Sequence, residues 1–217
     1  MRYDAILLDL DGTVLYTLED LKDAINAALR HFSMPELSLD EVRAYVGNGS
    51  ARLVELAVPQ GTPEDLRQAV LDWYKPYYDA HCRIKTRPYD GILPLLQRLR
   101  DAGLRLGIIS NKPDAAVKLL AEEHFAGLLD LAVGETAEVR RKPWPDMIDH
   151  ACGTLGLEKS RCLYVGDSEV DVLTARNAGL DCASVCWGFR SREQLTEAGA
   201  ARIFDTPEAL GDWILRQ

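Results

Sequence analysis

The apolar run Ala5-Ile6-Leu7-Leu8 stops abruptly at Asp9, and the chain continues Leu10-Asp11-Gly12-Thr13. A short run, apolar on both faces and bounded by glycine, predicts a central parallel strand covered by helices. From residue 17 to residue 85 the strand signal lapses. Leu18, Leu21, Ile25, Ala28, Leu29 and Phe32 keep helical spacing, and Thr17 with Asp20 predicts a capping box at the start of that helix. A second helix is predicted from Thr62-Pro63, with Leu66, Ala69, Val70 and Trp73 turned inward and Pro76 kinking or ending it. Between the two, Gly47-Asn48-Gly49-Ser50 reads as a tight glycine-rich loop.

Beyond Pro88 the pattern alternates between strand and helix. Residues 92 to 101 are amphipathic and Gly103 is a natural helix stop. Residues 104 to 109 predict a strand ending at Ser110-Asn111-Lys112, followed by a helix over 114 to 124 and a short strand near 130 to 133. A strand over 162 to 166 ends at Asp167, and a helix carrying Asp171, Ala175 and Ala178 closes at Gly179. A last strand at 182 to 186 and a helix begun by Thr206-Pro207 complete the chain. Strands alternating with helices imply a parallel sheet with right-handed crossovers. The expected fold class is therefore α/β, a doubly wound, Rossmann-like core over residues 1–15 and 87–217. Residues 16–86 are expected to form a small helical cap inserted after the first strand.

Composition narrows the setting. With 47% hydrophobic and 27% charged residues among 217, the chain has the make-up of an ordinary globular protein. No apolar stretch reaches membrane length and the first strand begins without a leader, so a cytoplasmic location is expected. A net charge of −9 argues against nucleic acid or an anionic membrane as partner. The five cysteines are expected to be reduced packing thiols; Cys182 and Cys186 lack the further ligands a zinc site needs.

In a doubly wound sheet the carboxyl ends of the strands share one edge, where ligands bind. Three of the predicted strands end in polar residues: Asp9 and Asp11, Ser110 and Asn111, and Asp167. Arg140-Arg141-Lys142-Pro143 adds a cationic loop before a helix. Two acids one residue apart are costly to bring together unless a cation or a shared proton relieves them. Oxygen ligands of this kind suit Mg²⁺, while a lysine and a serine can hold phosphate oxygens. Phosphoryl transfer to an aspartate uses all of these groups together. Lys112 before Pro113 is expected to be solvated, Ser168 to start a helix, and the four histidines to have no chemical role.

The four pieces Asp9-Leu10-Asp11-Gly12-Thr13, Ser110-Asn111, Lys142-Pro143 and Gly166-Asp167-Ser168-Glu169-Val170-Asp171 resemble, in matching order, the four motifs of the haloacid dehalogenase (HAD) superfamily. The resemblance spans essentially the whole chain, since the helical insert matches that superfamily's cap. Within it the chain is most similar to the bacterial phosphoglycolate phosphatases, through Val46-Gly47-Asn48-Gly49, Arg87-Pro88-Tyr89-Asp90-Gly91 and Trp187-Gly188-Phe189-Arg190.

The resemblance implies an HAD-type core and a set of roles. Asp9 would be the nucleophile, and Asp11 would protonate the leaving alkoxide and then deprotonate water. Mg²⁺ would sit on the Asp9 carboxylate, the Asp11 backbone carbonyl and Asp167. Ser110, Asn111 and Lys142 would hold phosphoryl oxygens, Thr13 would support the site, and Asp171 would orient Lys142 or a metal-bound water. Gly47, Asn48 and Gly49 would form a substrate-facing loop of the cap.

Dehalogenases and phosphonate-cleaving relatives lack the acid found here at Asp11, so the resemblance implies a phosphate ester, most specifically 2-phosphoglycolate. A β-phosphoglucomutase or a pyrophosphatase uses the same core, and a non-enzymatic binding module would normally have lost Asp9, Asp11 or Lys142. Tyr16-Thr17 departs from the acidic or serine pair often found after the first motif. The partner expected is a small phosphorylated metabolite, with no nucleic acid and no membrane, and the chain is expected to be a monomer or homodimer.

Overall fold

The structure, a computed structural model, describes residues 2–217. The chain divides into two compact units, one running to Leu15 and resuming over Pro88–Gln217, the other Tyr16–Arg87. It opens with β1 (Ala5–Leu8) and the two-residue β2 (Leu15–Tyr16). Four helices follow: α1 (Leu18–His31), α2 (Leu39–Tyr45), α3 (Gly49–Ala57) and α4 (Glu64–His81). The short β3 (Arg87–Pro88) forms a separate two-stranded sheet with β2. The remainder alternates as α5 (Ile92–Asp101), β4 (Arg105–Pro113), α6 (Asp114–Phe125), β5 (Leu131–Glu135) and α7 (Asp146–Leu155). It ends with β6 (Cys162–Gly166), α8 (Glu169–Ala178), β7 (Asp181–Val185), α9 (Arg192–Glu197), β8 (Ile203–Phe204) and α10 (Pro207–Leu215).

Six strands form one parallel sheet in the order β5-β4-β1-β6-β7-β8. Strand β1 is central, and its side chains alternate between two apolar layers. Ile6 and Leu8 pack with Leu95 and Leu99 of α5, Val117 and Leu120 of α6, and Leu210 and Ile214 of α10. Ala5 and Leu7 face Met147, Ile148 and Ala151 of α7 and Ala175 and Ala178 of α8. Each fully buried Leu or Ile contributes roughly 1.5–3 kcal/mol, so both faces of β1 are heavily anchored. Its neighbours lie on opposite sides: Leu8 is in register with Ile108 of β4 and with Val165 of β6. The winding reverses there, which makes the carboxyl end of β1 the switch point of the sheet.

The second unit is helical, as the spacing predicts, with several differences in detail. Thr17 precedes α1 without a side-chain capping bond, and its buried hydroxyl lacks a hydrogen-bond partner. Asp20 instead accepts backbone hydrogen bonds from Lys85 at 2.9 Å and Thr86 at 2.8 Å, tying α1 to the chain's return. A side chain three residues into a helix can turn to a distant backbone, which local spacing cannot reveal.

Two further helices, α2 and α3, lie between α1 and α4, and Gly49 and Ser50, expected in a glycine-rich loop, open α3 instead. The capping box that forms in this unit is Ser38 with Glu41, at the start of α2. Helix α4 runs through Pro76 to His81. It buries Val70, Leu71, Tyr74 and Tyr78, while Leu66 is exposed and Ala69 and Trp73 are half-buried. Pro76 lies on the exposed face, so packing beyond it on the opposite face outweighs the lost backbone bond. Trp73 stacks on His31 and Tyr77, and Tyr77 stacks on His81, which gives those two histidines a packing role.

Candidate active site

The backbone of Asp9 still belongs to the sheet, its N–H donating to the Val165 carbonyl at 2.9 Å. The side chain therefore projects from the end of β1 with little freedom, and it is 7% exposed. One carboxylate oxygen, Oδ1, accepts from Leu10 N–H at 2.7 Å and from the Lys142 ammonium at 2.8 Å. The chain then turns at Gly12 with φ +82°, where an added Cβ would lie 2.3 Å from Asp167 Oδ2. Glycine is required there both by the left-handed backbone and by the approach of β6's terminal acid.

Asp167 is bound from two sides. Its Oδ1 accepts from the Thr13 hydroxyl at 3.2 Å and its Oδ2 from Phe189 N–H at 2.7 Å. Trp187 Nε1 donates to the Thr13 carbonyl at 2.9 Å, so residues 187–189 form a strap between the β1 turn and the end of β6. Arg190 continues the strap by pairing with Glu169 at 2.9 Å. The sequence marks this strap only through its likeness to relatives, because its work is done by backbone groups.

Lys142 is 2% exposed and held by three side chains. Its ammonium lies 2.8 Å from Asp9, 2.8 Å from Asp171 Oδ1 and 3.1 Å from the Tyr164 hydroxyl. Its backbone is held as firmly. Asn111 accepts from Lys142 N–H at 2.7 Å and donates to the Lys142 carbonyl at 3.0 Å, fastening the lysine loop to β4.

Asp171 serves both Lys142 and the start of α8. Oδ1 accepts from Lys142 and from Tyr164 at 3.1 Å, while Oδ2 accepts from Ser168 N–H and Oγ at the start of α8. Ser110 lies buried within β4, its Oγ accepting from Lys112 N–H at 3.2 Å.

Lys112 departs from expectation. It is buried rather than solvated, and its ammonium lies 3.1 Å from Asp11 Oδ1. Strand β4 continues through Pro113, so Lys112 falls two residues beyond Ser110 instead of in a surface turn. Tyr164 is a second residue that the sequence pattern places in a strand without marking its role. A buried tyrosine hydroxyl needs a partner, and that requirement was the available signal.

Gly47, Asn48 and Gly49 lie in the second unit. Cysteines 82, 152, 162, 182 and 186 are all free thiols.

The electrostatics follow from packing acids together. Among the described residues Asp9, Asp167 and Asp171 bring carboxylate oxygens within 4.8 Å of one another. Burial pushes the Asp9 carboxyl well above the usual range; Lys142 opposes this, and the charges of Asp171 and Asp167 add to it. Burial, reinforced by Asp171, lifts Asp167 from 3.8 to about 7 against the pull of Phe189 N–H, Arg190 and Thr13. For Lys142, burial disfavours the charge, but Asp171 and Asp9 override it and hold the group above the ordinary lysine value. Burial followed by the Asp171 charge raises Tyr164 well above an ordinary phenol, so its hydroxyl stays a donor.

The family model described as haloacid dehalogenase-like hydrolase matches residues 6–185. A phosphoglycolate phosphatase of Rhodospirillum rubrum is 34% identical over 97% of this chain and 90% of its own length. An N-acetylmuramic acid 6-phosphate phosphatase of Pseudomonas aeruginosa is also 34% identical, over 98% of this chain and 95% of its own. Among solved structures, a candidate phosphoglycolate phosphatase from Lactobacillus delbrueckii subsp. bulgaricus superposes with a TM-score of 0.94. It is 38% identical and the match covers 99% of each chain. With the match running from the first strand to the end of β7, the chain belongs to the haloacid dehalogenase-like hydrolase family.

Proposed function

We propose that this chain is a Mg²⁺-dependent phosphatase that cleaves small phosphate monoesters through an aspartyl-phosphate on Asp9, with 2-phosphoglycolate as its substrate. The observation that carries the reading is the Asp9–Lys142 contact at 2.8 Å within a cluster of buried carboxylates. A buried carboxylate beside a buried ammonium provides a nucleophile and a cation for the oxygens of the group it attacks. In the first half-reaction Asp9 forms a bond to phosphorus as the ester P–O bond breaks, and Asp11 gives its proton to the departing oxygen. In the second, Asp11 takes a proton from water as water attacks the same phosphorus, and Asp9 is released as carboxylate. Lys142 and Ser110 hold the phosphoryl oxygens, and Asp171 and Asn111 keep Lys142 in place.

The residues present fit Mg²⁺. Hard oxygen donors surround the end of β1, where Asp9, Asp167 and Asp171 bring carboxylate oxygens within 4.8 Å of one another. Asp171 is already neutralised by its ion pair with Lys142, so Asp9, Asp167 and the Asp11 backbone carbonyl would hold the ion. When bound, Mg²⁺ supplies charge neutralisation for the phosphoryl group and for these acids.

A stability test follows from the direction of the Asp167 shift. In the unfolded chain the carboxyl ionises near 3.8, and in the folded chain near 7. Between those values the unfolded state releases the proton first, so without metal the protein loses stability as pH rises from about 4 to about 7. Mg²⁺ binds the ionised form. The rise in melting temperature on adding Mg²⁺ is therefore expected to be larger at pH 8 than at pH 5, and an equal rise at both would count against Asp167 as ligand.

The activity itself is tested by phosphate release from a panel holding 2-phosphoglycolate, N-acetylmuramic acid 6-phosphate, pyrophosphate and glucose 1-phosphate with a bisphosphate activator. The expected outcome is fastest release from 2-phosphoglycolate, silenced by EDTA and restored by Mg²⁺. The two curated relatives named above are equally identical and differ in named substrate, which is why the muramic acid ester belongs in the panel. Faster release from that ester would replace the substrate while keeping the chemistry. Phosphate movement between sugar positions would replace hydrolysis with a mutase reaction.

A further inference from the structure

The proposed reaction gives work to one of the two lysines that are buried among the described residues. Lys142 is fixed by Asp9, Asp171 and Tyr164. Lys112, whose side chain is only 2% exposed, is the other, and its ammonium lies beside Asp11. Asp11 Oδ1 is buried and has no hydrogen bond, so the ammonium at 3.1 Å meets it as an ion pair without hydrogen-bond geometry.

The placement is informative. In the proposed reaction Asp11 contacts the departing oxygen, so the carbon skeleton of the alcohol begins beside Asp11. A cation next to Asp11 is therefore next to the first atoms of the leaving group. Removing an ammonium from water is costly and needs an anion to offset it. In a site already holding Asp9, Asp11, Asp167 and Asp171, a second anion on the substrate would be repelled unless such a cation received it.

We propose that Lys112 is the specificity-determining residue that receives a carboxylate carried one carbon from the scissile ester oxygen, selecting esters of small hydroxy acids over esters of uncharged alcohols. This rests on the phosphatase reading and deepens it, by assigning the substrate class to one side chain of the core. Ethyl phosphate differs from 2-phosphoglycolate by having a methyl group in place of the carboxylate, so it isolates the contact.

The test compares kcat and KM for the two esters in the parent, in Lys112→Met and in Lys112→Arg, with 4-nitrophenyl phosphate as a general phosphatase control. In the parent, kcat/KM is expected to favour 2-phosphoglycolate. Lys112→Met removes the partner of Asp11 and slows both esters. Its preference for 2-phosphoglycolate is expected to fall about 10- to 100-fold, mainly through KM, since a charge-assisted contact is lost. Lys112→Arg restores part of the preference. Turnover of 4-nitrophenyl phosphate by the variants reports that they are folded. Equal losses on both carbon esters in Lys112→Met would show that Lys112 only positions Asp11, and would overturn the proposal. A parent that cleaves 4-nitrophenyl phosphate yet shows no preference for 2-phosphoglycolate over ethyl phosphate also overturns it, with the phosphatase reading intact. A parent that cleaves none of the three removes the phosphatase reading and the proposal with it.

Discussion

Asp9→Asn is expected to lower kcat by about 10⁴-fold or more, with the protein still folded. Asparagine keeps the shape of the side chain and its acceptor for Leu10 N–H, but a neutral amide cannot attack phosphorus and be released again as carboxylate. The fold loses little. Lys142 keeps Asp171 at 2.8 Å, and the repulsion of Asp9 by Asp167 and Asp171 disappears. Phosphate release and the thermal unfolding midpoint, measured on the same preparation, separate the two effects. Mg²⁺-dependent turnover within tenfold of the parent would sink the assignment of Asp9.

Lys142→Met is expected to remove activity and to destabilise the fold by about 3–5 kcal/mol, the usual cost of stripping one partner from a buried charge pair. The lysine neutralises Asp9 and Asp171 together, and its removal leaves those two acids and Asp167 clustered without its charge. Methionine approximates the volume of the lost stem, so the loss is electrostatic more than steric. The double variant Asp9→Asn/Lys142→Met discriminates further. With one of the stranded acids neutralised, it is expected to recover part of the lost stability in urea titrations. A double variant no more stable than Lys142→Met alone would show that the lysine's contribution does not run through Asp9.

The core was legible in the sequence because its signals are local and repeated. The run before Asp9, the alternation after Pro88 and the polar residues closing three strands each point to one parallel sheet with its chemistry at one edge. What was misread depended on partners distant in sequence. Asp20 looks like a capping residue by spacing, yet its oxygens are bonded by Lys85 and Thr86. Pro76 looks like a helix end, yet Tyr74 and Tyr78 bury the far face and carry α4 past it.

The candidate site divides along the same line. Asp9, Asp11, Lys142 and Asp167 stand just past strands or in loops, Ser110 within β4 and Asp171 in the first turn of α8, where charged and polar types are conspicuous. Lys112, beside a proline, looks like a surface residue until β4 is followed two residues further. Tyr164 looks apolar until its hydroxyl has to be satisfied, and Phe189 acts through an N–H that every residue but proline possesses.

Asp171 has a mechanical consequence. One of its oxygens closes the amino end of α8 and the other grips the Lys142 ammonium, within a single rigid carboxylate. The first turn of α8 and the position of that ammonium are thereby one coordinate. Val172 and Ala175 are buried on the helix, and Ala175 packs in the apolar layer with Ala5 and Leu7. A change in how they seat it turns the helix as a lever and moves the lysine at its tip. The reaction centre can thus be retuned from the apolar layer, with every charged residue left in place.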